Sequence, residues 1–314
     1  MKAIGIMRYG GPEVLEVIDV EEVNAGFEEI RIKNFASAVN PTDTVSRSGM
    51  IAKFRKDDPV FPSVPGMDIA GIVDQIGEAV TTDIKIGDRV MGMVIPDGDY
   101  GAYREQLILN QRAVVLAPKN SSHEEASTLP MNSLTARLSL DLLNLKSGQV
   151  IAVTGGPGAY GGYVIQLAKA DGLIVIADSS DSDEILLKDL GVDIIISREK
   201  SFADQIREHF PDGVDGLADG ALLNEKAIDA VKDGGSFTSI RGFKGSPQRD
   251  IKFSATWVTA YNCDYEKLDK IRQQVEDGLV TLRVAGTVSP ENAAEAHKRL
   301  EGGGTRGRMV IKWS

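Results

Sequence analysis

Four apolar residues, Val150-Ile151-Ala152-Val153, lead after two residues into Gly156-Pro157-Gly158-Ala159-Tyr160-Gly161, which has the glycine spacing GxGxxG. The apolar run predicts a buried strand, and the residues after the glycines predict a helix that leads to a second strand. In this context the glycines allow a tight turn, and the helix start offers unpaired N–H groups to a phosphate. The stretch therefore predicts a site for the pyrophosphate of a dinucleotide; the alternative is a glycine-rich surface turn without a ligand.

Strand-like and helix-like segments alternate after residue 150. Apolar runs at 173–177, 194–196, 216–219 and 236–240 predict strands, and segments at 161–170, 185–190 and 225–231 predict helices. This strand–helix–strand order is typical of α/β proteins with a doubly wound parallel sheet.

The first 120 residues have a different pattern. Short apolar runs are separated by Gly, Pro, Asn and Asp, and Glu29-Ile30-Arg31-Ile32-Lys33 alternates with a period of two, which predicts an antiparallel β domain. A capping-box signature in Ser121-Ser122-His123-Glu124-Glu125 predicts a helix start where the pattern changes. We therefore expect a β domain at 1–120, a dinucleotide-binding domain at 121–262 and, at 263–314, two helices and a strand that return to the first domain.

Composition limits the function classes. The 314 residues are 42% hydrophobic and 26% charged, as in ordinary globular proteins, while a net charge of −11 without a basic cluster argues against nucleic acid as a partner. The single cysteine, Cys263, excludes an internal disulfide and a Cys-based structural zinc site. No run of about 18 apolar residues occurs, and the N-terminal apolar stretch is too short for a signal peptide. These features predict a cytoplasmic protein without a membrane segment.

Asp178 is the residue on which cofactor choice depends. It closes the second predicted strand about 17 residues after Gly161, near the ~20-residue spacing at which an acid binds the ribose hydroxyls and favours NADH over NADPH. Ser179, Ser180 and the acids that follow contribute no arginine, but the same residues are typical of a solvated turn. Arg198, after the third strand, is the nearest basic residue for a phosphate.

Several segments occur in an order that is known from one enzyme family. They are Met1-Lys2-Ala3-Ile4, Tyr9-Gly10-Gly11-Pro12-Glu13-Val14-Leu15, Val39-Asn40-Pro41-Thr42-Asp43, Pro65-Gly66-Met67-Asp68-Ile69-Ala70-Gly71, Leu134-Thr135-Ala136, Val164-Ile165-Gln166-Leu167-Ala168-Lys169, Leu190-Gly191-Val192-Asp193 and Arg306-Gly307-Arg308. Over nearly its whole length the chain resembles the zinc-free quinone oxidoreductase branch of the medium-chain dehydrogenase/reductase superfamily. The resemblance implies a GroES-like β-barrel catalytic domain followed by a Rossmann domain, with the C-terminus returning to the catalytic domain.

The resemblance also implies roles for single residues. Asn40 and Thr135 match positions near the nicotinamide ring, and Arg308 matches a position at the cofactor. Asn40 precedes a proline and is equally typical of a turn, while Thr135 would also fit a helix residue that bonds its own backbone. Arg241 and Gly242 follow an apolar run at the carboxyl end of a predicted strand, where ligands bind in such folds. Family members often bind NADPH, and Asp178 departs from that pattern.

Missing residues argue against two related enzyme classes. Zinc-dependent relatives carry a histidine ligand in the segment that here reads Met67-Asp68, and the three histidines, His123, His209 and His297, lie elsewhere at positions typical of a surface or a helix. Short-chain dehydrogenases have a similar glycine motif, but they need Tyr-x-x-x-Lys, which no tyrosine after the motif provides.

These features predict a metal-free reductase. A bound NADPH or NADH would transfer hydride to a quinone or to an activated alkene, an enone or enal, and Asn40, Tyr100 and Arg241 are candidates to polarise the acceptor oxygen. The alternative is a non-catalytic NAD(P)H-binding redox sensor or structural protein. The resemblance further implies a homodimer formed through edge strands of the Rossmann domain.

Overall fold

The computed structural model describes residues 1–50 and 60–314. These residues form two compact units, one made of Met1–Met131 with Tyr261–Ser314 and one of Asn132–Ala260. We call them the β-rich unit and the Rossmann unit. The domain limits expected at residues 120 and 262 stay a prediction.

Strands and α-helices are numbered in chain order. The strands are β1 (Lys2–Gly5), β2 (Glu16–Asp19), β3 (Glu29–Ala38), β4 (Asp68–Ile76), β5 (Arg89–Met93), β6 (Gln106–Asn110), β7 (Val114–Leu116), β8 (Val150–Thr154), β9 (Ile174–Ser179), β10 (Ile194–Ser197), β11 (Val214–Asp219), β12 (Val231–Ile240), β13 (Lys252–Thr256), β14 (Val284–Val288) and β15 (Arg308–Lys312). The α-helices are α1 (Pro41–Arg47), α2 (His123–Ser127), α3 (Pro130–Leu143), α4 (Ala159–Ala170), α5 (Glu184–Asp189), α6 (Phe202–His209), α7 (Tyr265–Glu276) and α8 (Ala293–Glu301). None of these helices is long and apolar enough to cross a membrane.

The β-rich unit is built on a seven-stranded sheet. Its order is β14-β15-β3-β4-β5-β7, with β6 also paired to β3, and β3, β4, β5, β6 and β7 pair antiparallel. In β3 the side chains of Ile30 and Ile32 are buried and Lys33 is exposed, as the period of two predicts. The C-terminal strands β14 and β15 join this sheet through β3, so the expected return of the C-terminus is present.

The Rossmann unit contains a six-stranded parallel sheet in the order β10-β9-β8-β11-β12-β13. This is the doubly wound order in which the chain reverses direction across the sheet between the first and fourth strands, here β8 and β11. Ile151, Ala152 and Val153 of β8 are fully buried, because helices cover both faces of such a sheet. The α/β class with a parallel sheet is confirmed.

One expectation for this unit needs correction, and one strand was not predicted. Residues 224–230 form a 3-10 helix in place of the helix expected at 225–231, and Val231 already opens β12. A 3-10 helix rises about 2.0 Å per residue and therefore spans a longer distance than an α-helix with the same number of residues. Strand β13 was not predicted, because this edge strand mixes polar and half-buried residues and has no continuous apolar run.

The capping box is confirmed. Ser122 precedes α2, its hydroxyl accepts from the N–H of Glu125 at 3.1 Å, and the Glu125 carboxylate accepts from the Ser122 N–H at 2.8 Å. Residues 290–292 form a 3-10 turn directly before α8.

Candidate functional site

The glycine motif lies between β8 and the start of α4. A β-carbon on Gly161 would come within 2.3 Å of the Gly155 carbonyl oxygen, and one on Gly156 within 3.1 Å of the Ala177 β-carbon. Glycine is therefore required for α4 to pack this closely on the strands. Gly158 is the N-cap of α4 and provides no side-chain cap, so no side chain of the cap residue occupies the helix start. That this turn binds the pyrophosphate of a dinucleotide stays a prediction.

A second loop is fixed beside the glycine motif where β8 and β11 end. The Thr154 hydroxyl donates to the buried Asp219 carboxylate at 2.5 Å and accepts from the Ala221 N–H at 3.0 Å. Asp219 also accepts from the N–H groups of Leu223 (3.0 Å) and Asn224 (2.8 Å). These bonds hold the loop after β11 at the place where doubly wound sheets bind ligands. Asp219 was not predicted from the sequence. Its place as the last residue of a predicted strand could have indicated a role beside the glycine motif.

Asp178 uses both of its carboxylate oxygens within the protein. Oδ1 accepts from the Gly155 N–H at 2.6 Å, and Oδ2 lies 2.7 Å from Nε of Arg198. The side chain of Asp178 is 7% exposed, whereas that of Arg198 is 42% exposed. The structure thus brings the predicted acid and the predicted base together, with the guanidinium on the solvent side.

Ser179 and Ser180 follow Asp178 at the same edge. The Ser179 hydroxyl donates to the Ser180 carbonyl at 2.6 Å, and the Ser180 hydroxyl donates to the Asp183 carboxylate at 2.6 Å. These bonds give the turn after β9 a fixed shape beside Arg198.

Tyr160 fills a space between elements of the Rossmann unit. Its hydroxyl lies 2.7 Å from the Ser139 hydroxyl, which is 3.1 Å from the Thr256 hydroxyl and donates to the Thr135 carbonyl at 3.0 Å. A β-carbon on Gly220 would meet the Tyr160 ring at 2.6 Å, so the ring lies against the loop after β11. Burial raises the pKa of Tyr160 well above its usual value. Tyr160 therefore anchors the start of α4 to α3 and β13.

Arg241 and Gly242 form the turn after β12. Both have a positive φ, 79° for Arg241 and 85° for Gly242, and the Arg241 side chain is exposed. A β-carbon on Gly242 would come within 2.9 Å of the Trp257 ring. The turn presents a cation at the carboxyl end of the parallel sheet, as the sequence predicts.

Asn40 caps α1 in the β-rich unit and is fully buried. Its Nδ2 donates to Asp68 Oδ2 at 2.7 Å, its backbone N–H donates to Asp43 Oδ2 at 2.8 Å, and its side chain accepts from the Asp43 N–H. Asn40 therefore has the structural role that its Asn-Pro sequence predicts, and its carboxamide is tied to two buried acids.

A buried chain of polar groups leads from Asp43 to α8. The Tyr103 hydroxyl donates to Asp43 Oδ2 at 3.0 Å and lies 3.1 Å from Nε2 of His297, whose Nδ1 lies 3.3 Å from Nη1 of Arg47. Arg47 also pairs with Glu301 at 2.5 Å. Because an arginine only donates, His297 accepts at Nδ1 and donates from Nε2 to Tyr103. His297 was expected at a surface or helix position; it lies on α8 but is fully buried.

Burial changes the proton affinities in this chain. It raises the pKa of Asp43 to about 7, against the lowering effect of the hydrogen bonds from Asn40 and Tyr103. It lowers the pKa of His297 to about 3, with a further lowering by the charge of Arg47. His297 is therefore neutral at physiological pH.

Asp68 lies at the start of β4 and is fully buried. Besides Asn40, it accepts at Oδ1 from the backbone N–H of Met131 at 2.6 Å. Burial raises the pKa of Asp68 to about 7, opposed by these two hydrogen bonds and by the charge of Arg308. Arg308 opens β15 and is buried.

The residues at this place do not fit a zinc ion. Both Asp68 oxygens already accept hydrogen bonds, and Met67 offers a thioether where zinc sites use thiolate, imidazole or carboxylate. Within residues 1–50 and 60–314, no three His, Cys, Asp or Glu side chains are grouped to hold a metal.

Tyr100 lies apart from the Asn40 cluster. Its hydroxyl donates to the carbonyl of Ile108, its ring packs against the core of the β-rich unit, and burial raises its pKa to about 12. The structure therefore gives Tyr100 a core contact, and its role toward an acceptor stays a prediction.

Comparisons with known proteins agree with this geometry. Residues 26–119 match the family described as alcohol dehydrogenase GroES-like domain, and residues 190–311 match the zinc-binding dehydrogenase family. The chain is 34% identical to 2-methylene-furan-3-one reductase of Solanum lycopersicum and 31% identical to NADPH-dependent alkenal/one oxidoreductase, chloroplastic, of Arabidopsis thaliana, in each case over 99% of this chain and 79% of the relative.

A solved structure gives the same result for the whole fold. The quinone oxidoreductase from Coxiella burnetii is similar with a TM-score of 0.88 and 28% identity, over 100% of this chain and 99% of the other. The sequence segments, the two units and these relatives agree. The chain therefore belongs to the quinone oxidoreductase and enone reductase branch of the medium-chain dehydrogenase/reductase superfamily.

Proposed function

We propose that this protein is an NAD(P)H-dependent reductase that acts on a quinone or on an activated alkene, an enone or enal. The observation that carries the proposal is the glycine turn between β8 and α4, where Gly158 caps the helix without a side chain and β8 lies beside β11 in the parallel sheet. Relatives that are named for alkenal/one and furanone reduction support the acceptor class.

The redox step balances without a metal. A bound reduced nicotinamide would supply the hydride, and solvent or a polar side chain would supply the proton that completes the reduction. The protein binds the pyrophosphate at α4, positions the acceptor and stabilises the oxygen that becomes negative. Of the three candidates for that stabilisation, Arg241 has an exposed cation, whereas Asn40 is fully buried, Tyr100 is half-buried, and both side chains already make hydrogen bonds within the protein.

We propose NADPH as the preferred cofactor. The Asp178 carboxylate is engaged by Gly155 and Arg198, and the Arg198 guanidinium is the exposed partner at this edge of the sheet. An arginine there would pair with the 2′-phosphate, while the acid holds the arginine in place. Ser179 and Ser180 line the same turn. We also propose that Thr135, Gly242 and Arg308 contact the cofactor, as the family resemblance implies.

The experiment is an acceptor panel measured with both cofactors. NADPH and NADH oxidation are followed with quinones, enones, enals and simple alcohols as substrates. We expect turnover with at least one conjugated acceptor and none with simple alcohols. Tight NAD(P)H binding without reduction of any conjugated acceptor would contradict the reductase and favour the redox-sensor alternative.

We propose a homodimer that forms at the β13 edge of the Rossmann sheet. β13 pairs on one side with β12, which leaves its other side at the sheet edge. Light scattering should give twice the mass of 33.8 kDa. The expected cytoplasmic location stays a prediction that fractionation of cells tests.

A further inference from the structure

We propose that Asp68 is a positioning residue for reduction, because its carboxylate holds the Asn40 side chain and the first turn of α3 together. The proposal rests on the function proposed above. It goes beyond that function by assigning a role to an acid that acts through Asn40.

The two contacts of Asp68 join the starts of two helices. Asn40 is the N-cap of α1, and Met131 is the second residue of α3. Asp68 accepts from Asn40 Nδ2 at 2.7 Å and from the Met131 N–H at 2.6 Å, both short distances for bonds to a charged acceptor. The carboxylate is fully buried, so water does not compete for either donor.

Asp68 also determines which way the Asn40 carboxamide points. Both Asp68 oxygens accept from N–H donors, so the carboxyl group faces the amide nitrogen of Asn40, and the amide oxygen is directed to the Asp43 N–H. If Asp68 is made neutral, the carboxamide loses this preference. The family resemblance implies that Asn40 lies near the nicotinamide ring. The orientation of its side chain is therefore set by Asp68, which is 28 residues away in sequence.

The charged groups around Asp68 are consistent with this role. Asp43 on α1 and Arg308 on β15 are titratable neighbours of this acid: the charge of Asp68 raises the pKa of Asp43, and the charge of Arg308 lowers the pKa of both acids. Arg308 thus compensates part of the negative charge that burial makes costly.

The test is a double-mutant cycle with Asp68→Asn and Asn40→Ala. In Asp68→Asn an amide NH₂ faces one of the two donors, so one hydrogen bond is lost and residue 68 no longer holds Asn40 and Met131 together. We expect kcat to fall by about 10- to 100-fold, the loss that corresponds to one hydrogen bond to a charged group. The dissociation constant of NADPH, measured by nicotinamide fluorescence, should change by less than about twofold, because the nucleotide turn is in the other unit.

The matched control is Asp74→Asn in the same strand. Asp74 pairs with Arg31 at 2.9 Å, and its side chain is 29% exposed, so we expect unchanged kcat. In the cycle, the double variant should be no slower than Asn40→Ala alone, since Asp68 acts through Asn40. If Asp68→Asn does not fold, Asp68→Glu, which displaces the carboxylate by one methylene, replaces it in the same cycle.

The outcomes separate this proposal from the function on which it rests. Additive losses in the cycle, or full kcat in Asp68→Asn, would overturn the positioning role while the wild-type protein still reduces its acceptor. If the wild-type protein reduces no conjugated acceptor, the proposed function fails and the positioning role fails with it.

Discussion

Nε of Arg198 lies 2.7 Å from Asp178 Oδ2, while the other oxygen of the same carboxylate accepts from the Gly155 N–H at 2.6 Å. Asp178 therefore connects the glycine turn to the guanidinium of Arg198, the residue that follows β10. In sequence, Asp178 predicts a contact with ribose hydroxyls and a preference for NADH. In the structure its carboxylate is already bonded on both oxygens, which leaves the arginine as the exposed group at this edge.

Removal of the guanidinium in Arg198→Ala should weaken NADPH binding selectively. We expect KM for NADPH to rise by about 10- to 100-fold, because one charge-assisted bond to a phosphate is lost, while KM for NADH changes by less than about threefold. Steady-state kinetics with both cofactors measure the effect. Lys200→Ala, at an exposed position two residues away, is the control. An equal rise for both cofactors would show that Arg198 does not read the 2′-phosphate.

A side chain in the glycine motif, introduced by Gly161→Ala, should weaken both cofactors alike. The new β-carbon would lie 2.3 Å from the Gly155 carbonyl oxygen, a backbone atom that cannot move without distorting the turn. We expect weaker binding of both cofactors by at least about tenfold and a loss of about 1–3 kcal/mol in the free energy of unfolding. Fluorescence titration and chemical denaturation measure these changes. Gly302→Ala, whose β-carbon would meet nothing closer than 3.4 Å, should leave both values unchanged.

The buried imidazole of His297 should lower stability on the acid side. The pKa of His297 is lowered from 6.5 to about 3, so between these values the unfolded chain binds more protons than the folded protein. Its contribution to the free energy of unfolding is thus lost as pH falls below 6.5, by at most about 1.4 kcal/mol per pH unit. His297→Gln should remove this acid-side loss in denaturation curves recorded from pH 5 to 8. The exposed His209→Gln should keep it; an unchanged slope in His297→Gln would contradict the assignment.

The buried carboxyl of Asp43 should have the opposite effect on the pH dependence of stability. The pKa of Asp43 is raised from 3.8 to about 7, so the folded protein binds the extra proton between these values and loses stability as pH rises through 7. Asp43→Asn removes this contribution, and its free energy of unfolding should fall less between pH 5 and 8 than that of the wild type. Asp83→Asn, at an exposed position, should follow the wild type. A pH dependence in Asp43→Asn that also matches the wild type would show that Asp43 is not the group responsible.

Local sequence patterns predicted the parts of the fold that depend on neighbouring residues. The strand at Val150, the turn through Gly161 and the helix after it follow from apolar runs, periodicity and glycine spacing within a few residues. The same holds for the alternation of Ile30 and Ile32 and for the capping box at Ser122. The edge strand β13 was missed, because its stabilising partner is strand β12 and its own residues carry a weak pattern.

The partners of the buried polar groups could not be predicted from the sequence. Asp178 meets Arg198 because β9 and β10 pair in parallel with Ile196 beside Asp178, and Asp68 bonds to Met131, 63 positions away in sequence. His297 and Tyr103 are separated by 194 positions and still form one hydrogen bond. The residue types indicate that each of these groups needs a hydrogen-bond partner once it is buried, since burial of an unpaired charge costs free energy. Which partner it finds depends on strand order and register, and these are properties of the folded chain as a whole.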